Sequence, residues 1–137
     1  MPMAKRLTVS RKAKQLSVTC EDRPGTLARL ATVLGDSKVD IVAMTCAPFG
    51  VQGTVRIVVD DVNRARKVLD REHLPYTEQD VLQVELPNLP GCLGEFAGKL
   101  AKQGINITTA YGTAAKGCKK ATVILKVSDL DKAARIR

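Results

Sequence analysis

Gly25 and Gly91 are the residues of this chain best placed to hold a ligand without a reactive side chain of their own. Each follows a proline, in "EDRPGTLARL" at residues 21–30 and in "PNLPGCLGEF" at residues 87–96, and each directly precedes a run with helical spacing. Pro24 and Pro90 fix their own φ and bias the preceding residue away from the helical region, so the strand before them ends cleanly. A glycine adopts backbone conformations that other residues resist, and its missing side chain lets a ligand approach the backbone. The helix behind it presents unpaired N–H groups with a partial positive charge, which suits a carboxylate. Asp22 and Asn88 hold the same place before the two turns. Asn88 can donate to a carboxylate as well as accept, whereas Asp22 favours an ammonium group. Together these meet the needs of an α-amino acid. A tight strand-to-helix turn without a ligand gives the same pattern, and its repetition does not separate the two readings, because duplication copies turns as well as sites.

Other chemistry is poorly supplied. His73 is the only histidine, so neither a metal site nor a Ser-His-Asp arrangement is expected, and no cofactor is called for. Cys20, Cys46, Cys92 and Cys118 are scattered without a C-x-x-C pair and read as free thiols of a reducing compartment. No apolar stretch approaches the roughly 20 residues that span a bilayer. The first residues lack the apolar region of a secretory signal. The expected location is therefore cytoplasmic, with no membrane partner. Of the 22 basic residues, Lys5, Arg6, Arg11, Lys12 and Lys14 fall in a stretch without an acid, and the remaining 17 face all 14 acids of a chain whose net charge is +8. The excess is a basic tail more than a body-wide patch, which argues against nucleic acid as the main partner.

The chain is also a repeat, and this organises everything else. A shift of 66 residues sets Leu16 on Leu82, Val18 on Val84, Pro24 on Pro90, Gly25 on Gly91, Leu34 on Leu100 and Ile41 on Ile107. A loop two residues longer near 112–120 then changes the shift to 68, which aligns Val55 with Val123, Val59 with Val127, Asp61 with Asp129 and Ala65 with Ala133. The expected organisation is a basic tail at 1–13, one unit at 14–79 and a second at 80–137.

Each copy repeats one order of elements. "QLSVTC" and "LQVEL" alternate apolar and polar residues as half-buried strands do. Leu27, Leu30, Ala31 and Leu34 form one apolar helix stripe, and Leu93, Phe96, Ala97 and Leu100 form its counterpart. Gly35 and Gly104 mark the expected helix ends. Two β-rich runs follow in each copy, then a helix with Asp60 or Asp61, and Ser128, as expected N-caps. Residues 75–79 serve as the last strand of the first copy. The expected fold is α+β: two tandem ferredoxin-like βαββαβ units, antiparallel sheets with both helices on one face, the second lacking its own last strand. An unpaired sheet edge follows, which "RLTV" of the tail or a second chain could fill.

A strand, then "DRPGTLARLATVL" or "NLPGCLGEFAGKLAKQGINI", then two strands and a helix, resembles the ACT domain. Two such units in one short chain are similar to the small tandem-ACT amino-acid-binding proteins of bacteria. The resemblance implies a regulatory module and not a catalyst, with an amino acid bound between neighbouring units. There the glycine loop of one unit faces the start of the second strand of another. It implicates Asp22, Pro24, Gly25, Thr26 and Leu27 in the first copy, and Asn88, Leu89, Pro90, Gly91, Cys92 and Leu93 in the second. It adds Asn106 of "GINI", where the family often places a side-chain amide, and Asp40 at the same position of the first copy, where Lys38 replaces the glycine. The implied mechanism is a shift of conformation or oligomeric state, in a homodimer joined through sheet edges, with any output passing to a separate effector protein.

The rival reading is a structural or protein-interaction ferredoxin-like module with no small-molecule ligand. RNA recognition by the same topology would need aromatic residues on the central strands, and "TVRIVV" and "ATVILKV" contain none. An acylphosphatase-like enzyme would use an arginine in the first loop, where the second copy has Leu89.

Overall fold

The computed structural model describes residues 8–21, 23–49 and 52–136. Its contacts divide the chain into a first repeat, residues 14–79, and a second repeat, in which residues 80–136 are joined by 8–13. Asp22, and Arg6 and Leu7 of the "RLTV" segment, lie outside the described residues.

The elements run β1 (Val9–Glu21), α1 (Thr26–Asp36), β2 (Ile41–Phe49), β3 (Gln52–Val59), α2 (Val62–Arg71), β4 (Tyr76–Pro87), α3 (Cys92–Lys102), β5 (Ile107–Thr113), β6 (Lys120–Val127) and α4 (Leu130–Ala134). Residues 76–79 and "LQVEL" are not two strands but parts of β4, and Pro75 lies just before it. No glycine or proline stands between Tyr76 and Leu86, so nothing in that stretch turns the chain. In the first repeat the strands lie in the order β2-β3-β1-β4. In the second they lie in the order β5-β6-β4, with the first residues of β1 beside β4 in the position that the repeat's own chain does not fill. Lys12 in that segment donates to Asp131 of α4, and the hydrogen bond holds the Asp131 carboxyl below the ordinary carboxylate range.

Each repeat has its own core, with both helices on one sheet face. In the first, Leu16, Val18, Val55 and Ile57 from the sheet meet Leu30 and Leu34 of α1 and Ala65, Val68 and Leu69 of α2. In the second, Leu82, Val84 and Leu125 meet Phe96 and Leu100 of α3 and Ala133 of α4. Full burial of one such side chain stabilises the fold by about 1.5–3 kcal/mol. The leading residues of the two helix stripes behave differently: Leu27 is 40% exposed and Leu93 53% exposed.

The helix ends also refine the sequence reading. Asp61 and Asp129 cap α2 and α4, accepting from the N–H groups of Arg64 and Lys132 at 3.0 Å. Asp60 and Ser128 instead accept from the N–H groups of Asp40 and Asn106, at 2.8 and 2.9 Å. Gly35 lies inside α1. The left-handed residue beyond that helix is Lys38 (φ 63°), which aligns with Gly104 (φ 72°) at the shift of 66. A lysine there adopts a conformation that costs a non-glycine residue about 1–2 kcal/mol.

Candidate functional site

The two Pro-Gly turns are built alike. Gly25 (φ 93°) and Gly91 (φ 88°) occupy the N-cap positions of α1 and α3 in the left-handed region. The N–H groups of Arg29 and Glu95 close the first helical hydrogen bonds onto the carbonyls of Gly25 and Gly91, at 2.9 and 3.0 Å. N–H groups earlier in the first turn have no intrahelical acceptor. That of Cys92 reaches back to the Leu89 carbonyl at 3.3 Å, and glycine at the N-cap offers no side chain for the rest. Each turn therefore presents backbone donors and the positive end of a helix dipole.

Beside the second turn lies a cleft of about 490 Å³. Leu86 and Pro87 from the end of β4, Asn88 and Leu89 from the turn, and Cys92 and Leu93 from the start of α3 form one side. Ala110 to Thr113 of β5, Ala114 beyond it, and Ala121 and Val123 of β6 form the other. Gly112 pairs with Val123 across the ladder, where a Cβ on Gly112 would stand 2.7 Å from the Thr122 carbonyl oxygen.

The Asn88 side chain organises this mouth. Its amide donates to the carbonyls of Ala115 at 3.1 Å and Cys118 at 2.9 Å, and its backbone N–H donates to Lys119 at 2.9 Å. Both side-chain donors are thus engaged in holding the β5–β6 loop, which leaves Oδ1 to accept. Asn88→Ala is expected to cost about 1–3 kcal/mol in chemical denaturation, the sum of two hydrogen bonds of ordinary worth. Amide exchange of residues 115–119 should accelerate in that variant, whereas unchanged protection there would show that the bonds carry no load.

Beside the first turn a smaller cleft, about 350 Å³, is lined by Cys20, Glu21, Arg23, Pro24, Gly25, Thr26, Arg29 and Leu74. It is charged where the other is apolar. The Arg23 Nε lies 2.7 Å from a Glu21 carboxylate oxygen, and Arg29 reaches Glu72 at 3.3 Å. Burial pushes the Cys20 thiol up, and the nearby Cys46 adds to it.

The sequence-derived residues are therefore only partly brought together. Asn88, Leu89, Cys92 and Leu93 share the second cleft, and Pro24, Gly25 and Thr26 share the first. Pro90, Gly91 and Leu27 stand beside the clefts without lining them. Asp40 and Asn106 are exposed beyond the opposite ends of α1 and α3, helices of 11 residues, or about 16 Å. Neither joins the cleft of its own repeat. The second cleft adds Leu86 and Pro87 of β4, Ala110 to Ala114 at the end of β5, and Ala121 and Val123 of β6, none of them among the residues the sequence singles out for the site. The available signal was the pair of small residues, Ala110 and Gly112, where the aligned first repeat has Met44 and Cys46.

The ACT domain family matches residues 14–73, the first repeat almost entire. The solved structure of a protein from Bacteroides thetaiotaomicron is 31% identical to this chain, with a TM-score of 0.81, over 90% of this chain and 85% of that one. The chain belongs to the ACT domain family. The second repeat, which lies beyond that match, has the same order of elements from its first strand to its second helix. The regulatory subunit of aspartate kinase from Thermus thermophilus has the same ACT fold, at 15% identity and a TM-score of 0.69, over 93% of this chain and 92% of that one. Aspartokinase III of E. coli, solved with aspartate and ADP, superposes with a TM-score of 0.59 at 14% identity, over 93% of this ACT chain and 31% of the enzyme. No curated protein matches the chain. No helix among the described residues is long and apolar enough to cross a membrane.

Proposed function

We propose that this ACT protein is a regulatory module that binds a free amino acid at the Gly91 turn and changes its conformation or association when it does so. The observation that carries this reading is the cleft of about 490 Å³ opening beside an uncapped helix start. Its size falls in the range usual for small-molecule sites, roughly 300–1,000 Å³. The ligand carboxylate would take the free N–H groups of the first turn of α3, and the ammonium would take Oδ1 of Asn88. Family membership supports a regulatory role and not a catalytic one, as does the likeness to a regulatory subunit of aspartate kinase.

The site is completed by the start of β5 of a neighbouring ACT unit, which brings Asn106 to a cleft that its own repeat keeps it from. A homodimer joined through sheet edges supplies that neighbour. A ligand held at such a seam binds the paired state better than the separated one, and this difference in affinity is what shifts the equilibrium. The signal then passes to a separate effector protein. A second reading, an interaction module without a ligand, is favoured by the exposed Leu27, Val42, Met44, Leu89 and Leu93, which would suit burial against another protein.

Thermal-shift measurements against the twenty amino acids separate the two. A bound amino acid stabilises the fold by about 2.7 kcal/mol at one hundred times its Kd, and a flat response to all twenty would favour the interaction module. Gly91→Val places a β-branched residue at φ 88°, with no atom within 4 Å of the new Cβ, so its cost is backbone strain and not collision. It should lose about 1–2 kcal/mol of stability together with the ligand response. Asn106→Ala should lose the response with the melting temperature of the free protein unchanged. Retained binding in both variants would move the site elsewhere.

A further inference from the structure

The two clefts sit at the same turn of the same fold, yet their walls have diverged in one direction. The strand registers make the comparison residue by residue. Ala110 faces Leu125 as Met44 faces Ile57, and Gly112 faces Val123 as Cys46 faces Val55. The second repeat thus has a methyl group and a hydrogen where the first has a thioether chain and a thiol. The second cleft extends over the end of β5, and among the described residues the first includes none of β2 or β3. At the turn itself, Leu89 replaces Arg23 and Leu86 replaces Cys20. No described residue lining the second cleft carries a charge, whereas Glu21, Arg23 and Arg29 line the first.

From this divergence we infer that the cleft of the second repeat selects amino acids with apolar side chains, and that the first repeat does not bind the same ligand. The inference rests on the function proposed above and adds the class of ligand. Leu86, Leu89, Leu93, Ala110, Tyr111 and Val123 surround the space beside Gly91 that a ligand side chain enters. An aliphatic or aromatic side chain there removes apolar surface from water on both partners. A carboxylate, ammonium or guanidinium group in the same place would give up its hydration with no opposite charge to meet it. Selection against charged amino acids therefore follows from the lining itself. In the first repeat Met44 stands at the strand position of Ala110 and the turn is charged, so one chain takes one ligand.

The test is titration calorimetry on the full chain, with L-leucine, L-isoleucine, L-valine, L-methionine and L-phenylalanine in one set and L-aspartate, L-glutamate, L-lysine and L-arginine in the other. The expected result is binding of at least one member of the first set with a stoichiometry of one per chain, at least tenfold tighter than any member of the second. Ala110→Met restores the residue of the first repeat at an exposed strand position, and it should weaken that binding at least tenfold while the melting temperature of the free protein stays unchanged. Leu89→Arg should narrow the gap between leucine and glutamate. A charged amino acid that binds as tightly as the best apolar one, or two equivalent sites per chain, would overturn the inference and leave amino-acid binding standing. Silence from all nine, with a flat response to the other eleven, would overturn the functional reading and the inference with it.

Discussion

Leu100→Ala should lower the stability of the second repeat by about 2–5 kcal/mol, the range for removing a leucine side chain from a packed core. Leu93→Ala, two turns back along the same helix stripe, should change it by no more than about 0.5 kcal/mol. In sequence the two leucines are equivalent members of one apolar face. In the structure Leu100 is fully buried among Leu82, Phe96, Ile105 and Leu125, and Leu93 is 53% exposed at the edge of the cleft. The cavity left at Leu100 is enclosed, so its neighbours cannot collapse into it without strain, while the space left by Leu93 fills with water. Urea denaturation of the two variants reads the difference directly. Equal losses would mean that α3 is rotated on its sheet and that Leu93 is core, which would close the mouth of the cleft. Leu34→Ala, in the first repeat, should match Leu100→Ala, because Leu34 is likewise fully buried and meets Leu16, Val18 and Ile57 in the same layer.

What the sequence made legible was whatever depends on neighbours along the chain. The repeat, the shared βαββα order and the Pro-Gly turns all follow from local spacing and backbone preference, and each repeat shows them. Readings that depended on a choice between adjacent residues went astray at specific points. Ser128 read as an N-cap because serine caps helices well, but Asp129 lies one residue nearer the helix and takes the cap, which frees Ser128 to hold Asn106. Gly35 read as a helix end because glycine is the usual C-terminal residue, but the alignment with Gly104 falls on Lys38. The cleft was legible on one side only. Asn88 to Leu93 announce themselves through proline, glycine and the start of a helix. Ala110 and Gly112 lie some twenty residues on, in a strand where small residues carry no local signal. Their meaning appears only when β6 fixes the register that sets them opposite the turn.

Gly112→Ala and Gly98→Ala are the same chemical change and should have opposite signs. Gly98 lies inside α3 with nothing within 4 Å of an added Cβ, so alanine there stiffens the unfolded chain and favours the helix. The gain should be about 0.5–1 kcal/mol. At Gly112 the added carbon would stand 2.7 Å from the Thr122 carbonyl oxygen and 3.0 Å from Cα of Val123. Both are backbone atoms of β6, so no rotamer change relieves the contact. Relief requires the end of β5 to move off β6, which weakens the pairs Gly112–Val123 and Thr113–Thr122. The expected loss is about 1–3 kcal/mol, as for other forced insertions of a methyl group into a filled space. The same movement displaces Tyr111 and Thr113, which line the cleft, so the response to L-leucine should fall together with the stability. Gly98→Ala should leave that response intact. Melting curves of the two variants, with and without L-leucine, therefore separate a strand held close by its glycine from one that merely tolerates it. A Gly112→Ala protein as stable as the parent would show that β5 and β6 do not approach as described, and the wall of the cleft would have to be redrawn.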